Sequence, residues 1–253
     1  MRSKRIELIE NYIINNKTVS IDKLCEVFNV SKNTIRRDLN VLSDKGSIKK
    51  VYGGVTSNNI QNPGSFDERS SINSKSKTLL GKAASEFIKD GDSIFLDSGT
   101  TIVNIIEFLK DKKDITIFTN NVIALCKGIH LENLNIICLS GILNRRTKSF
   151  VGLHSQDILK SYNINKCFLS CNGVSLKRGI TNSNKEEVKL KKIALSRSAE
   201  SFLLADSSKF NHVSLMTFCE VNDLNYIITD STPSEEYLKY FKDNNIQLKI
   251  CEN

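Results

Sequence analysis

Residues 31–42 read SKNTIRRDLNVL, and this stretch decides the character of the N-terminal part of the chain. Ile35, Leu39 and Leu42 recur at i, i+4 and i+7, which predicts a helix with one apolar face. Ser31 stands just before the helix, where its hydroxyl can accept a hydrogen bond from an unpaired backbone N–H. The opposite face carries side chains that suit phosphates and base edges, namely Asn33, Arg36, Arg37 and Asn40. A solvated helix face can have the same composition, so the helix alone leaves both interpretations open.

Composition narrows the class of protein. The 253 residues, 40% of them hydrophobic, are enough for one large domain or for a small domain and a medium one. No apolar run reaches the ~18 residues of a membrane span, and the first residues lack the apolar core of a signal peptide. We therefore expect a cytoplasmic protein without membrane contact. Residues 1–56 hold 11 Lys/Arg against 6 Asp/Glu, a net charge of +5 out of +8, which favours an anionic polymer as partner.

The cysteines and histidines give little support for a metal site or a cofactor. The seven cysteines are an odd number without a Cys-x-x-Cys motif, and most lie within apolar runs. We interpret them as small buried hydrophobic residues in a reducing compartment. The three histidines are far apart, so neither a zinc site nor a His-based catalytic triad is expected, and we predict no metal and no cofactor.

The flanking segments place the basic helix in a known kind of module. Residues 3–15 have a helical stripe, and Ser20 can cap a second helix whose apolar positions begin at Ile21. Three short helices joined by tight turns suit a helix-turn-helix whose last helix enters the major groove. Gly46 is expected to end that helix, and residues 47–54 predict a β-wing whose Lys49 and Lys50 contact the phosphate backbone or the minor groove.

The segment IDKLCEVFNVSKNTIRRDLNVLSDKGSIKKVYGGV, residues 21–55, resembles the winged helix of the DeoR family of bacterial transcription regulators. The pattern VSxxTIRRDL at residues 30–39 is highly characteristic of that family, and the resemblance continues through most of the chain. It implies DNA binding by the following residues: Ser20, Ser31, Lys32, Asn33, Thr34, Arg36, Arg37, Asn40, Lys49 and Lys50. We expect a DNA-binding domain at 1–57, a polar linker at 58–73 that carries the family's Arg69 and Asn73, and an effector domain at 74–253.

From residue 74 onward, helical and strand-like segments alternate. Apolar strands are predicted at 93–96, 115–118, 134–139, 166–170, 202–205, 226–229 and 247–251. Helices are predicted between them, at 77–89, 101–109, 122–128, around 153–161, near 185–198 and at 235–243. Such alternation favours a mostly parallel α/β sheet. The expected fold class is therefore α/β, with an N-terminal winged helix-turn-helix followed by this domain.

Small polar residues follow several of these strands, where an open α/β sheet binds its ligands. Their hydroxyl and amide groups, with helix N-termini, suit an anion such as phosphate. Each loop alone can be explained by helix capping, but four such loops in one sheet favour a common pocket. No Walker A or G-x-G-x-x-G motif is present. The candidate residues are Asp97, Ser98, Gly99, Thr100, Thr101, Thr119, Asn120, Ser140, Gly141, Asp206 and Lys209.

These loops also resemble the DeoR family, whose C-terminal domain is similar to the ribose-phosphate isomerase fold and is thought to sense phosphorylated sugars. The resemblance adds Lys189, which matches a lysine in the helix after the Gly179-Ile180-Thr181 segment, as an effector contact. Ser140-Gly141 departs from the Gly-Gly that the family commonly has there. The implied protein is a regulator, in most family members a repressor, of a sugar or carbohydrate operon, with a phosphorylated sugar as effector.

Two function classes are compatible with the residues. The first is a non-enzymatic regulator that binds a double-stranded DNA operator as a dimer or a tetramer. The second is a sugar-phosphate isomerase with a basic N-terminal extension, in which Glu186 or Glu187 beside Lys189 acts as general base. The same acids also suit the solvated start of a helix, and no second acid–base partner is identifiable, so the regulator is favoured. A protein-binding role for the N-terminal module has little support, because Arg36 and Arg37 favour DNA as the partner.

Overall fold

The computed structural model describes residues 2–16, 18–44, 47–57 and 64–251, without the side chains of residues 2–4, 14 and 15. The chain divides into two compact units, Met1–Pro63 and Gly64–Asn253. Within the described ranges, no helix has both the length and the apolar character needed to cross a membrane. The predicted end of the basic helix at Gly46 and the first part of the predicted linker, residues 58–63, lie outside the described residues.

The first unit is a winged helix-turn-helix. Its strands form one antiparallel sheet in the order β1-β3-β2. β1 was not foreseen, because a three-residue strand is visible only through its pairing with β3, more than thirty residues further along the chain. The elements are α1 (Arg2–Asn16), β1 (Thr18–Ser20), α2 (Ile21–Phe28), α3 (Lys32–Asp44), β2 (Ile48–Val51) and β3 (Gly54–Ser57).

Local sequence signals account for the two helices of the helix-turn-helix. The backbone N–H of Lys23 donates to the Ser20 hydroxyl at 3.1 Å, and the N–H of Thr34 donates to the Ser31 hydroxyl at 3.3 Å, as the capping positions predict. Asn29, in the left-handed conformation, ends α2. The predicted apolar stripe of α3 is buried in a core shared by all three helices and the sheet.

The core of this unit also contains one charge. Asp38, on the buried side of α3, accepts a hydrogen bond from Arg5 of α1 at 2.8 Å and is only 1% exposed. The acid of the RRDL sequence therefore fixes α3 against α1, while the two arginines before it face solvent.

The second unit contains a seven-stranded, entirely parallel sheet. Its first elements are α4 (Phe66–Ser71), α5 (Ser74–Ser85), β4 (Ser93–Leu96), a 3₁₀ helix (Ile102–Phe108), β5 (Ile115–Thr119), α6 (Val122–Gly128), β6 (Leu134–Cys138), β7 (Ile142–Asn144), β8 (Ser149–Val151) and α7 (Leu153–Lys160). The chain continues with β9 (Ile164–Ser170), β10 (Gly173–Ser175), β11 (Gly179–Asn182), α8 (Lys185–Arg197), β12 (Ser198–Leu204), a 3₁₀ turn (Ser207–Lys209), β13 (Met216–Cys219), a 3₁₀ turn (Val221–Asp223), β14 (Tyr226–Thr229), α9 (Glu235–Asp243) and β15 (Gln247–Ile250).

The strand order of the large sheet is β15-β14-β12-β9-β4-β5-β6. Successive side chains of a strand point to opposite faces, so Phe95 joins one apolar cluster while Ile94 and Leu96 join another. The sheet is therefore buried on both faces, and the seven predicted strands are confirmed with small shifts at their ends. The predicted helix at 101–109 is a 3₁₀ helix, and the small sheets β10-β11-β13 and β7-β8 were not foreseen.

Part of the segment expected to be linker belongs to the second unit. α4 begins with a complete capping box between Ser65 and Glu68, and its first residue, Phe66, is 4% exposed. The N–H of Phe66 donates to the carbonyl of Arg146 at 2.8 Å. A single buried aromatic residue and a local cap thus hold a helix that polar composition did not reveal.

Candidate functional site

The most polar buried region of the second unit lies where the strand order reverses. The chain runs outward from β4 through β5 to β6 and then returns to place β9 on the other side of β4. Ligands of open α/β sheets bind at the carboxyl ends of the strands beside such a switch point. Asp97 follows β4 there, and its Oδ2 accepts hydrogen bonds from the Ser170 hydroxyl at 2.6 Å and the Ser170 N–H at 3.1 Å.

Lys191 of α8 completes this network. Its Nζ donates to Asp97 Oδ2 and, at 2.9 Å, to the carbonyl of Ser170, and its side chain is 1% exposed. Burial alone raises the pKa of Asp97, but the Lys191 charge and the hydrogen bonds outweigh it, so the pKa is lowered. Gly99 allows the loop to approach, because a Cβ there would lie 2.0 Å from the Ser170 hydroxyl oxygen. The loop is held by a buried ion pair that the sequence did not predict.

Glu187 and Arg69 lie next to this pair. Glu187 stands one helical turn before Lys191 and is 9% exposed. Burial raises its pKa, while the charges of Lys191 and Arg69 and a hydrogen bond with Ser98 oppose the rise. Arg69 of α4 has a pKa lowered by burial, and its guanidinium interacts with the charges of Glu187 and Asp97. A carboxyl group and a guanidinium therefore lie beside the same loop.

The ammonium groups of Lys77 and Lys209 interact electrostatically. Lys77 of α5 is 6% exposed and donates to the carbonyl of Arg69, and no ion pair to a described carboxylate balances its charge. Burial, with a smaller contribution from the charge of Lys209 and against that of Asp206, lowers the pKa of Lys77 to about 8. Lys209 lies 3.8 Å from Asp206 Oδ2, which has no hydrogen-bond partner within the described residues. Asn73 donates to the other oxygen of Asp206 at 3.3 Å.

Several hydrogen-bonding atoms near these groups are not used by the protein. The hydroxyls of Thr100 and Thr101 make no hydrogen bond to a described residue, and buried Asn120 Oδ1 has no partner among them. A cavity of 290 Å³ lies beside these groups, near the lower limit of about 300 Å³ for small-molecule pockets. Lys77 and Thr100 are the residues of the charged group that line it, and the rest of its lining is Phe66, Asp67, Ser70, Ser74, Thr78, Val103, Asn104, Ile123 and Lys127. We define the charged site as Arg69, Lys77, Asp97, Thr100, Glu187, Lys191, Asp206 and Lys209.

Not every residue expected to bind a ligand joins this site. Lys189 is displaced by about 200° around α8 from Lys191, since each residue adds ~100°, and it forms an exposed ion pair with Glu186 at 2.9 Å. The expected effector contact Lys189 therefore lies outside the charged site, and the cation that pairs with Asp97 is Lys191. The sequence alone does not distinguish the two lysines, because it does not show which face of the helix is buried.

The remaining predicted loop residues have structural contacts. The Thr119 hydroxyl donates to the carbonyl of Leu96 at 2.7 Å and joins two neighbouring strands. Ser140 and Gly141 are exposed beyond the edge strand β6, and the carbonyl of Ser140 accepts a hydrogen bond from Ser155. Within the described residues, no hydrogen bond connects these two residues to the charged site.

The predicted DNA-contacting side chains of α3 are exposed on one surface: Asn33, Arg36, Arg37 and Asn40. Lys50 of the wing donates to Asn40 Oδ1 at 2.8 Å, so the wing and α3 form a continuous polar face. Lys32 forms an exposed ion pair with Asp22 of α2 at 2.6 Å. Ser20, Ser31 and Thr34 surround the helix N-termini, where their hydroxyls form caps or bond each other.

Comparison with known proteins identifies the family to which these two units belong. Residues 5–61 match the model of the DeoR-like helix-turn-helix domain, and residues 72–231 match that of the DeoR C-terminal sensor domain. The chain belongs to the DeoR family. The family resemblance of the sequence is thereby confirmed, as is the fold class of a winged helix-turn-helix followed by a parallel α/β domain.

Full-length relatives of this DeoR-family chain are regulators. It is 41% identical over 251 residues to the HTH-type transcriptional regulator IolR of Bacillus subtilis (strain 168), covering 99% of this chain and all of that protein. It is 33% identical over 239 residues to the lactose phosphotransferase system repressor of Staphylococcus epidermidis, covering 92% and 93% of the two chains. This DeoR-family protein is a transcriptional regulator and not an enzyme, and the isomerase alternative is set aside.

Among solved structures, a D-ribose-5-phosphate isomerase in complex with phospho-erythronic acid matches with a TM-score of 0.41 and 19% identity. The match covers 54% of this DeoR-family chain and 54% of the isomerase.

In the described residues, no group of three or more His, Cys, Asp or Glu has an arrangement that holds a metal ion.

Proposed function

We propose that this DeoR-family regulator represses an operon of sugar or carbohydrate metabolism in the cytoplasm, and that a phosphorylated sugar bound at the charged site controls it. One observation carries the effector proposal. Lys77 is a buried ammonium without a carboxylate partner, and a second ammonium, Lys209, interacts with it. Burying an unpaired cation is costly, so such a pair favours binding of an anion with more than one negative charge.

The chemistry around the two lysines suits the remainder of such an effector. Thr100 and Thr101 offer free hydroxyls to phosphate oxygens, and the buried, unpartnered oxygens of Asp206 and Asn120 can accept hydrogen bonds from sugar hydroxyls. Asp97, already neutralised by Lys191, shapes the loop and adds no unpaired negative charge. The site therefore favours a ligand that has a phosphate at one end and hydroxyl donors at the other.

DNA binding is assigned to the polar face of α3 and the wing. Arg36, Arg37, Asn33 and Asn40 would contact base edges or phosphates, and the wing lysines would hold the backbone. A single module buries little DNA surface, so a dimer or a tetramer that binds repeated half-sites is proposed. The effector would shift the population between forms that bind the operator with different affinity.

The decisive experiment measures binding of the full-length protein to duplex DNA from upstream of its own gene, with a panel of sugar phosphates, the matching free sugars and inorganic phosphate. We expect one sugar phosphate to change the affinity and its free sugar to have no effect. Arg36→Ala/Arg37→Ala should abolish specific binding, whereas the matched loss of two exposed charges in α9, Lys239→Ala/Lys242→Ala, should leave it intact. If the two double variants bind the operator with equal affinity, the assignment of DNA binding to Arg36 and Arg37 is contradicted. If none of the compounds changes the affinity of the wild type for the operator, the effector assignment is contradicted.

A further inference from the structure

The wing ends in an unusually exposed aromatic residue. Tyr52 and Gly53 are the two turn residues between β2 and β3, and the relative exposure of Tyr52 is 108%, that of a side chain standing free in solvent. Within the described part of the chain, it makes no hydrogen bond and no ring contact. An aromatic side chain normally contributes to stability by burial, so this one contributes little to the fold in the free protein.

The backbone holds Tyr52 at a defined position. Gly53 has φ of +77°, which a two-residue turn of this kind needs at its second position. A Cβ on the following Gly54 would lie 2.4 Å from the carbonyl oxygen of Val19, because β1 packs against the wing there. A third strand therefore supports the hairpin, and the tip is not a free loop.

The position of the tip is defined relative to the proposed DNA-binding face. Lys50, two residues before Tyr52, is hydrogen-bonded to Asn40 of α3. Two strand residues extend ~7 Å at about 3.3 Å each, so the backbone of Tyr52 lies within about that distance of the wing residue that contacts α3. The minor groove is the groove that adjoins the major groove in which a recognition helix lies.

We propose that Tyr52 enters the minor groove that flanks the site read by α3, and that it favours A·T over G·C pairs there. Its hydroxyl can donate to adenine N3 or thymine O2, which are the acceptors of A·T pairs, whereas the guanine amino group fills this place in G·C pairs. Its ring covers the sugars lining the groove or enters between base steps, as apolar minor-groove side chains do. This proposal rests on DNA binding by the first unit and adds a specificity-determining residue to it.

The test uses full-length protein and the upstream duplex protected by the wild type, with three versions of the base pairs under the wing: A·T, G·C and inosine·cytosine. Inosine lacks the amino group of guanine, so its pair resembles A·T in the minor groove and G·C in the major groove. The wild type should bind the A·T and inosine duplexes on the order of tenfold more tightly than the G·C duplex, the usual size of one unfavourable base pair. Tyr52→Ala and Tyr52→Phe should lose this preference, with Tyr52→Phe keeping more of the affinity.

Two controls separate this role from other effects of an exposed side chain. Leu8→Ala removes another exposed apolar residue of the same unit and should leave the preference unchanged. Lys49→Ala should reduce the slope of affinity against salt by about one unit, whereas Tyr52→Ala should keep the slope, since tyrosine neutralises no phosphate. The proposal would be overturned if Tyr52→Ala kept the wild-type preference for A·T pairs. It would also be overturned if the substitution changed the oligomeric state of the protein and left its base-pair preference unchanged. If the wild-type protein binds none of the duplexes, the proposed DNA-binding function itself is contradicted.

Discussion

At the scale of single residues, the buried lysines decide what the second unit can bind. Lys77 occupies the buried face of α5 with Leu80 and Ala84, at i, i+3 and i+7. A lysine on the apolar stripe of a helix is the signal that sequence analysis could have used for it. Lys191 is buried more deeply, but its charge is neutralised by Asp97. Lys77 has no ion pair with a described carboxylate, and for this reason we propose that Lys77 binds the ligand and that Lys191 is structural.

Replacing Lys77 tests that distinction. Lys77→Met should abolish the response of operator binding to the active sugar phosphate, because the methionine retains the buried stem but cannot pair with phosphate. Operator affinity without effector should stay within about twofold of the wild type, since the substitution lies outside the DNA-binding unit. Lys82→Met, an exposed position of the same helix, is the matched control. Titration of DNA binding with effector distinguishes them, and a normal response in Lys77→Met would contradict the assignment.

The pH dependence of effector binding follows from the same residue. Burial lowers the pKa of Lys77 to about 8 in the free protein, and a bound phosphate dianion would raise it by favouring the ammonium. Binding therefore takes up a proton above pH 8, so effector affinity should fall as pH rises through 8, approaching tenfold per pH unit. Calorimetric titrations between about pH 7 and about pH 9 measure this slope. The residual binding of Lys77→Met should show no such fall, and a flat wild-type profile would refute the proposed contact.

At the scale of elements, α8 carries both a stabilising charge and a surface charge. Glu187 and Lys191, four residues apart, share its buried face, while Lys189 lies on another side. The charged residues on the buried face hide the usual apolar pattern of an amphipathic helix. That masking explains why the sequence predicts the helix within one residue at its end but does not indicate that Lys191, and not Lys189, lies on the buried face.

Two substitutions in α8 compare how much the buried Lys191 and the exposed Lys189 contribute to the stability of the protein. Lys191→Met should lower the free energy of unfolding by ~3–5 kcal/mol, because it leaves Asp97 buried without its counter-charge. Lys189→Met should change it by less than about 1 kcal/mol, since the pair with Glu186 is solvent-exposed. Urea unfolding of the two full-length variants provides the comparison. Equal losses of stability would show that the Asp97–Lys191 pair does not hold the site together.

At the scale of the whole molecule, two units of different architecture occur in one chain. Among the described residues, the winged helix buries ten apolar side chains in one core, whereas the parallel sheet of the second unit is covered on both faces. The charged site lies entirely in the second unit, and the exposed basic face of α3 belongs to the first. The proposed effector control would therefore require coupling between units that have separate cores.

The proposed assembly makes a geometric prediction about the operator. If two copies bind together, the protected DNA should contain two equivalent half-sites whose centres are one or more helical turns apart, ~34–36 Å for each turn. Footprinting of the upstream duplex gives the spacing, and native mass measurement of the complex gives the number of chains. Inserting half a turn between the half-sites should reduce affinity strongly, while a full turn should restore part of it. Protection of a single half-site by one chain would contradict the proposed oligomer.

What the sequence determined by itself is local. Ser20 and Ser31 cap the helices that follow them, and the stripe of Ile35, Leu39 and Leu42 is buried as its period predicts. These features depend on hydrogen bonds and side-chain directions within one or two turns, which neighbouring residues specify. The alternation of strands and helices likewise indicates a parallel sheet, because each crossover must return the chain to the same edge.

Only the tertiary structure decided which polar residues meet. Asn73 contacts Asp206 across 133 positions of sequence, Lys191 contacts Asp97 across 94, and Thr18–Ser20 becomes a strand only because β3 pairs with it. These contacts depend on strand order and on which helix face is buried, and the spacing of residues specifies neither. Parallel strands are joined through helices, so the residues at their shared edge are always distant in sequence. The site is consequently a property of the assembled sheet, whereas its loops could be predicted one at a time.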